Sequence, residues 1–293
     1  TWFEPFATSL RMSDLGYSNQ NQSRINISLN SLDEYVRDLS RAICTPEPSY
    51  EAIGVKVGDR YEQLNTNLLQ IENEYYSSVR PKRVARSGEQ PTAALRRDGI
   101  EYVEIRSLDI NMFDPSGINQ NTMRFMEAFL IYCLLEDSPK LNGDELDEIR
   151  HNHTGTAKRG RDPDFRLQRG GKAVTLQSWA TEILEHVMTV AEMIDRNGSD
   201  GSYRASVGIL QAMIETPDRT LSARIVAELE QSGASYFEFA HGMAKCHRDY
   251  FASIAPLRAV QEKNLADEAA DSVARQAAIE AADEITLDEY LQQ

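Results

Sequence analysis

Cysteine is scarce in this 293-residue chain. There are three, Cys44, Cys133 and Cys246, far apart in sequence. Three scattered cysteines make no disulfide framework, which points to a reducing compartment, the cytoplasm. No apolar run approaches the roughly 18–20 residues of a membrane helix, and no signal-peptide pattern opens the chain. Positive charge is also short: 31 Lys and Arg against 46 Asp and Glu, a net charge of −15. That balance argues against a nucleic-acid coat and against a binder of anionic membranes. GxxxxGK[ST], GxGxxG and GxSxG are all missing. A Walker-type phosphate loop, a dinucleotide fingerprint and a serine-hydrolase elbow therefore have no support. No internal repeat is evident, which sets solenoids and propellers aside. An initiator Met is missing too. The chain opens Thr1-Trp2-Phe3-Glu4-Pro5, and aromatic residues this early lead us to expect part of a longer chain; a processed N-terminus is the alternative.

What is present suits a globular protein: 41% hydrophobic and 26% charged residues. The character shifts near Asp137, from short β-like runs to long helical patterns. Leu32, Tyr35, Val36, Leu39 and Ile43 stand at helical spacing. Gln63–Tyr76 reads as one or two strands. Ile100–Ser107 (IEYVEIRS) reads as a strand rich in β-formers. Gln120–Leu135 reads as a helix apolar on most sides, hence buried. His151–Lys172, rich in Gly, Arg and Asp, reads as a loop or small hairpin. A long amphipathic helix runs from Leu176 through Ile194 to Asn197-Gly198. Further helices are predicted over 203–214, 222–231 and 236–251. From Gln261 to Gln293 there are nine acidic and two basic residues, which predicts a solvated helix or frayed tail.

Four stretches could carry chemistry. On a strand, residues two apart share a face, so Glu104 and Arg106 point the same way while Val103 and Ile105 point into a core. A carboxylate beside a guanidinium suits a metal–nucleotide site; an ion pair on a wet face is the plain alternative. Between Arg80 and Arg97 lie six basic residues and one acid, a positive island that reads as an anion site or a solvated basic loop. Arg11-Met12-Ser13-Asp14-Leu15-Gly16-Tyr17 could clamp a small zwitterion, or Asp14 could simply cap a turn. Gln70, Glu72, Glu74 and Tyr76 share one polar face if that stretch is a strand; it lines a wet cleft or faces solvent. His151 and His153, and His241, Cys246 and His247, form no metal-ligand pattern and read as surface or packing residues. The stretch around Met123, Met126, Met188 and Met193 reads as core.

ATSLRMSDLGY at 7–17, LQIENEYYSSVRPKR at 69–83, RSGE at 86–89 and GIEYVEIRSLDIN at 99–111 occur in the order and spacing of one family. Together they resemble glutamate–cysteine ligase of the proteobacterial type, with TPDRTLSARI at 216–225 similar to a later segment. The resemblance implies an α+β, glutamine-synthetase-like ligase fold. Residues 1–136 would be the C-terminal part of the catalytic domain, with part of its antiparallel active-site sheet. Residues 137–260 would be a helical region packed on it, and 261–293 an acidic helical tail. It further implies an activity: ATP phosphorylates the γ-carboxylate of glutamate, and the cysteine amine displaces the phosphate, the first step of glutathione biosynthesis. Carried over position by position, Glu104 is a Mg²⁺ (or Mn²⁺) ligand and Arg106 the catalytic arginine on the transferred phosphoryl group. Arg11, Tyr17 and Tyr76 bind cysteine. Arg80, Lys82 and Arg83 lie near the nucleotide phosphates. The implied partners are ATP, glutamate, cysteine and a missing N-terminal half that carries most metal-binding carboxylates, with no nucleic acid and no membrane. Other readings are a related carboxylate–amine ligase with another acceptor, a helical interaction or nucleic-acid module resting on the basic island, and a scaffold resting on the acidic tail.

Overall fold

The computed structural model describes residues 4–16, 25–198, 200–254 and 258–291. Two apolar clusters organise them. The first forms around α1 (Leu32–Ala42). Ser31 caps this helix by accepting from the Glu34 N–H at 3.2 Å, and Asp33 and Glu34 in the first turn face the positive end of the dipole. Its buried residues Tyr35, Val36, Leu39 and Ala42 fall on one stripe and pack with Ile27, Leu69 and Leu95. After α1 come α2 (Pro48–Glu51) and the short hairpin β1 (Lys56–Val57) and β2 (Arg60–Tyr61). Then β3 (Val79–Lys82), α3 (Pro91–Asp98) and β4 (Tyr102–Ile105) follow, with β3 and β4 paired antiparallel.

The second cluster is helical. It joins α4 (Gln120–Leu135), α6 (Leu176–Arg196) and α7 (Ser202–Glu215) through Ala128, Leu184, Val187, Val190, Ala191 and Val207. Between α4 and α6 lie α5 (Gly143–Arg159) and the hairpin β5 (Leu167–Arg169) and β6 (Lys172–Val174). The chain continues through α8 (Leu221–Ser232), α9 (Tyr236–Ser253), α10 (Ala259–Ala281) and α11 (Leu287–Tyr290). An α+β chain with small antiparallel sheets and a mainly helical second part is what the sequence predicts. The tail is the solvated helix, α10, exposed at every residue. Among the described residues no helix is long and apolar enough to cross a membrane.

Four expectations are corrected. Residues 63–76 contain no strand, but an isolated bridge at Asn67 to Pro46 and a 3-10 turn at Glu72–Glu74. Side chains there occupy the backbone groups that a ladder would use. Gln70 accepts from the Leu64 N–H at 2.7 Å, and Glu74 accepts from the Gln70 N–H at 2.6 Å. The polar row therefore does not share a face: Glu72 is buried while Glu74 is exposed. His151–Arg159 is helix, and only the hairpin after it was foreseen. A reciprocal Asn142–Glu145 capping box starts α5. The hairpin turns on Gly170 and Gly171, both at positive φ, as a two-residue connection demands. The helix α4 exists as predicted but is buried on one side only; Leu134 is 83% exposed. It meets α6 and α7 along one stripe, so its remaining apolar surface faces outward. Val103 is 46% exposed, because β3 and β4 form a ribbon of two strands with no layer packed on that residue.

Burial pushes the Tyr35 phenol up to about 12 from an ordinary value of 10.0. The folded state thus keeps a proton that the unfolded chain loses near pH 10. This stability is fully present below pH 10 and is lost as the pH rises towards 12, a term of about 2–3 kcal/mol. Urea unfolding between pH 9 and 12 should show that decline, and Tyr35→Phe should flatten it.

Candidate functional site

The β3–β4 ribbon sets the geometry. Its register places Arg80 opposite Glu104 and Lys82 opposite Tyr102. Directly opposed residues share a face, and Arg106 extends the same row, its N–H bonding the Ser78 carbonyl at 2.8 Å. One face therefore carries Arg80, Lys82, Glu104 and Arg106. The Lys82 ammonium lies 3.5 Å from Glu104 Oε2, and Arg106 Nε lies 3.5 Å from Glu104 Oε1. Glu104 Oε2 is buried and accepts no hydrogen bond. The expectation that Glu104 and Arg106 point together is met, and the pair is both an ion pair and half-buried at an open face.

The three cations expected near phosphate separate. Arg80 is 5% exposed, and both its terminal nitrogens donate to the Asn73 carbonyl at 3.3 Å. Lys82 stays beside Glu104. Arg83 has the opposite strand parity: its Nε donates to the Gly99 carbonyl at 2.6 Å and its head lies 3.8 Å from Glu101. The basic island is also partly consumed within itself. Arg97 grips Glu89 with two contacts of 3.0 Å, and that guanidinium holds the Glu89 carboxyl down at about 2.

The segment carrying Arg11 arrives from the other side. Its N-terminal part lies across the C-terminal end of α5: Thr8 and Ser9 N–H groups donate to the Ala157 carbonyl at 2.9 and 3.2 Å. Lys158 bonds Asp14 at 2.8 Å, and this hydrogen bond lowers the Asp14 carboxyl. Arg161 donates to the carbonyls of Ala7 and Pro5. Asp14, expected on a ligand ammonium or as a turn cap, is ion-paired with Lys158 of α5. From this base the chain reaches the exit of β4. Arg11 Nε donates to the Arg106 carbonyl, the Arg11 N–H donates to Asp109 Oδ1 at 2.9 Å, and the Ser9 hydroxyl donates to Asp109 Oδ2. Arg11 and Arg106 are so brought together. Tyr76 lies three residues before β3, 39% exposed. Tyr17 lies outside the described residues.

The residues that join these parts, Asp109, Lys158 and Arg161, carry no mark in sequence as single residues. Asp109 stands inside GIEYVEIRSLDIN, a segment singled out for other members. Among the described residues no three His, Cys, Asp or Glu side chains are placed to hold a metal. Glu104 brings one carboxylate beside two cations. A hard divalent ion needs about six oxygens, so this chain alone does not fit a complete metal site.

The family model for glutamate–cysteine ligase matches residues 1–156. This chain belongs to the glutamate–cysteine ligase family. A glutamate–cysteine ligase of Alcanivorax borkumensis is 48% identical over 294 residues, covering 99% of this chain and 56% of the relative. One from Shewanella amazonensis is 44% identical over 277 residues, covering 94% and 52%. The crystal structure of the Francisella tularensis glutamate–cysteine ligase in complex with AMP superposes with a TM-score of 0.89 at 35% identity, covering 98% of this chain and 56% of that one. This chain therefore spans about half the length of the relatives that it matches. A bifunctional glutathione synthetase of Pasteurella multocida shares the fold, with a TM-score of 0.57 at 20% identity.

Proposed function

We propose that this ligase chain carries the phosphoryl and amine-acceptor side of an ATP-dependent glutamate–cysteine ligase. The observation that carries the reading is the Arg11 guanidinium seated on the Arg106 carbonyl, with Glu104 and Lys82 on the same strand face as Arg106. In the reaction, a glutamate γ-carboxylate oxygen attacks the γ-phosphorus of ATP and ADP leaves. The cysteine amine then attacks the acyl carbon and phosphate leaves. Arg106 grips the oxygens of the transferring phosphoryl group, where charge accumulates. Lys82 adds a second cation to that face. Arg11, with Tyr17 and Tyr76, takes the cysteine carboxylate in a bidentate grip. Because Arg11 is fastened at Arg106, the amine of that substrate is delivered next to the phosphorylated carboxyl, an advantage of position rather than of acid–base strength.

Glu104 would contribute one ligand to Mg²⁺ or Mn²⁺, the others coming from the remainder of the enzyme; a divalent ion there would offset phosphate charge. The share of relatives' length matched supports a partner segment of the same enzyme, the expected N-terminal half. Residues 1–136 belong in this reading to the catalytic part, residues 137–260 buttress it through α5, and residues 261–293 are peripheral. Three exposed free thiols suit a reducing cytoplasm.

ADP release with Mg-ATP, glutamate and cysteine should appear when this chain is joined to its upstream coding sequence and be absent from residues 1–293 alone. Serine or 2-aminobutyrate replacing cysteine with equal efficiency would shift the acceptor class. Silence in both proteins would remove the ligase reading, and equal turnover in both would remove the partner segment.

A further inference from the structure

We propose that Asp109 is the positioning residue of the acceptor site: its carboxylate fixes the turn at residues 9–12 so that Arg11 meets the carboxylate of the amino-acid acceptor. The proposal rests on the ligase reading for the identity of that acceptor. It rests on the page for the geometry. Asp109 follows β4 by four residues, and its two oxygens are divided between two groups of a segment about a hundred residues away. Oδ1 accepts from the Arg11 N–H at 2.9 Å, and Oδ2 accepts from the Ser9 hydroxyl. The Ser9 hydroxyl also accepts from the Met12 N–H at 3.0 Å, so one carboxylate closes both ends of the turn. With the turn closed, Arg11 Nε reaches the Arg106 carbonyl. Burial and the Asp109 charge both push the phenol of Tyr236, the first residue of α9, up.

These hydrogen bonds are exposed, so they contribute little to global stability. Their value is positional. The Arg11 side chain hangs from a segment whose other anchors, on α5, lie behind residue 10 or beyond residue 13. A shift of about 1 Å at a substrate-positioning group can cost about a hundredfold in rate. Asp109 should therefore act on one substrate through Arg11, and leave the nucleotide alone.

The test uses the extended ligase and four variants, Arg11→Ala among them. Asp109→Ala should raise the KM for cysteine about tenfold, with the KM for ATP within about twofold. Asp109→Asn should return the cysteine KM to within about threefold of wild type, because its amide oxygen still accepts from the Arg11 N–H and its amide nitrogen can donate to the Ser9 hydroxyl. Asp109→Ala in an Arg11→Ala background should add less than about twofold, the signature of two residues acting as one. Equal rises in both KM values, or additive losses in the double variant, would overturn the proposal. A second readout needs no turnover. In the extended protein, without substrates, hydrogen exchange at the Arg11 amide should accelerate in Asp109→Ala and not in Asp109→Asn. An unchanged exchange rate in Asp109→Ala overturns the proposal even if the extended protein proves not to be a ligase, and that latter failure shows separately as absent wild-type turnover.

Discussion

Arg106→Ala in the extended ligase is expected to lower kcat about a thousandfold, the scale of losing an arginine from a transferring phosphoryl group. The reason is where its charge sits. Arg106 directly follows β4 and is held to the ribbon by its own N–H on the Ser78 carbonyl. Its guanidinium is thus aimed before any phosphate arrives and need not reorganise during the step. Glu104 lies 3.5 Å away, long enough that the pair can open towards phosphate oxygens. Arg106→Lys keeps the charge and loses the planar fork, so it should retain only part of the rate. The fold should be spared. A half-exposed pair of this length contributes at most about 1 kcal/mol, so urea midpoints of the variants should stay near wild type. A fall in kcat of less than about tenfold, with folding intact, would take Arg106 out of the phosphoryl step.

The second large effect concerns stability. Leu69→Ala should cost about 2–5 kcal/mol in equilibrium urea unfolding. Leu69 is completely buried against the α1 stripe and Leu95 of α3, and its N–H bonds the Ala42 carbonyl at the end of α1. Truncation leaves a cavity that neither helix can close without sliding along the other. Leu69→Met conserves volume and should cost less than about 1.5 kcal/mol. A loss under about 1 kcal/mol for the alanine variant would mean that this cluster collapses around the hole. The cost reaches the site, because the same segment carries Glu72, which accepts from the Thr92 N–H at 2.8 Å and so caps the start of α3, the helix that leads into β4.

Much of the fold was legible because its helices bury single stripes. The α1 positions 32, 35, 36, 39 and 43 and the α6 positions 176, 179, 183, 187, 190 and 194 are periodic enough to read directly, and most of them pack into the two clusters. The α5 helix was hidden because His151–Arg159 offers little apolar period; a cap nine residues upstream and packing under Phe165 decide it. Residues 63–76 misled for the converse reason: an alternating polar row looks like a strand, but its side chains bond the local backbone. At the site, period two placed Glu104 with Arg106. The same parity would have split Lys82 from Arg83, had the basic run been read as strand rather than as an island. The meeting of Arg11 with Arg106 was not legible by periodicity, since the two are 95 residues apart; only the family resemblance put them in one site.

That separation also orders events in time. The first cluster draws on residues 25–95 and the second on residues 125–214, so each can form from one continuous stretch as the chain is synthesised. The Arg11 contact closes a 95-residue loop, and the Thr8 contact to α5 closes one of 148. Closing such loops costs entropy that each stretch can offset only after it is folded. Both clusters should therefore form before the site does, and a nascent chain emerged from the ribosome as far as about residue 120 would display a folded first cluster with the Arg11 segment still lacking its α5 support.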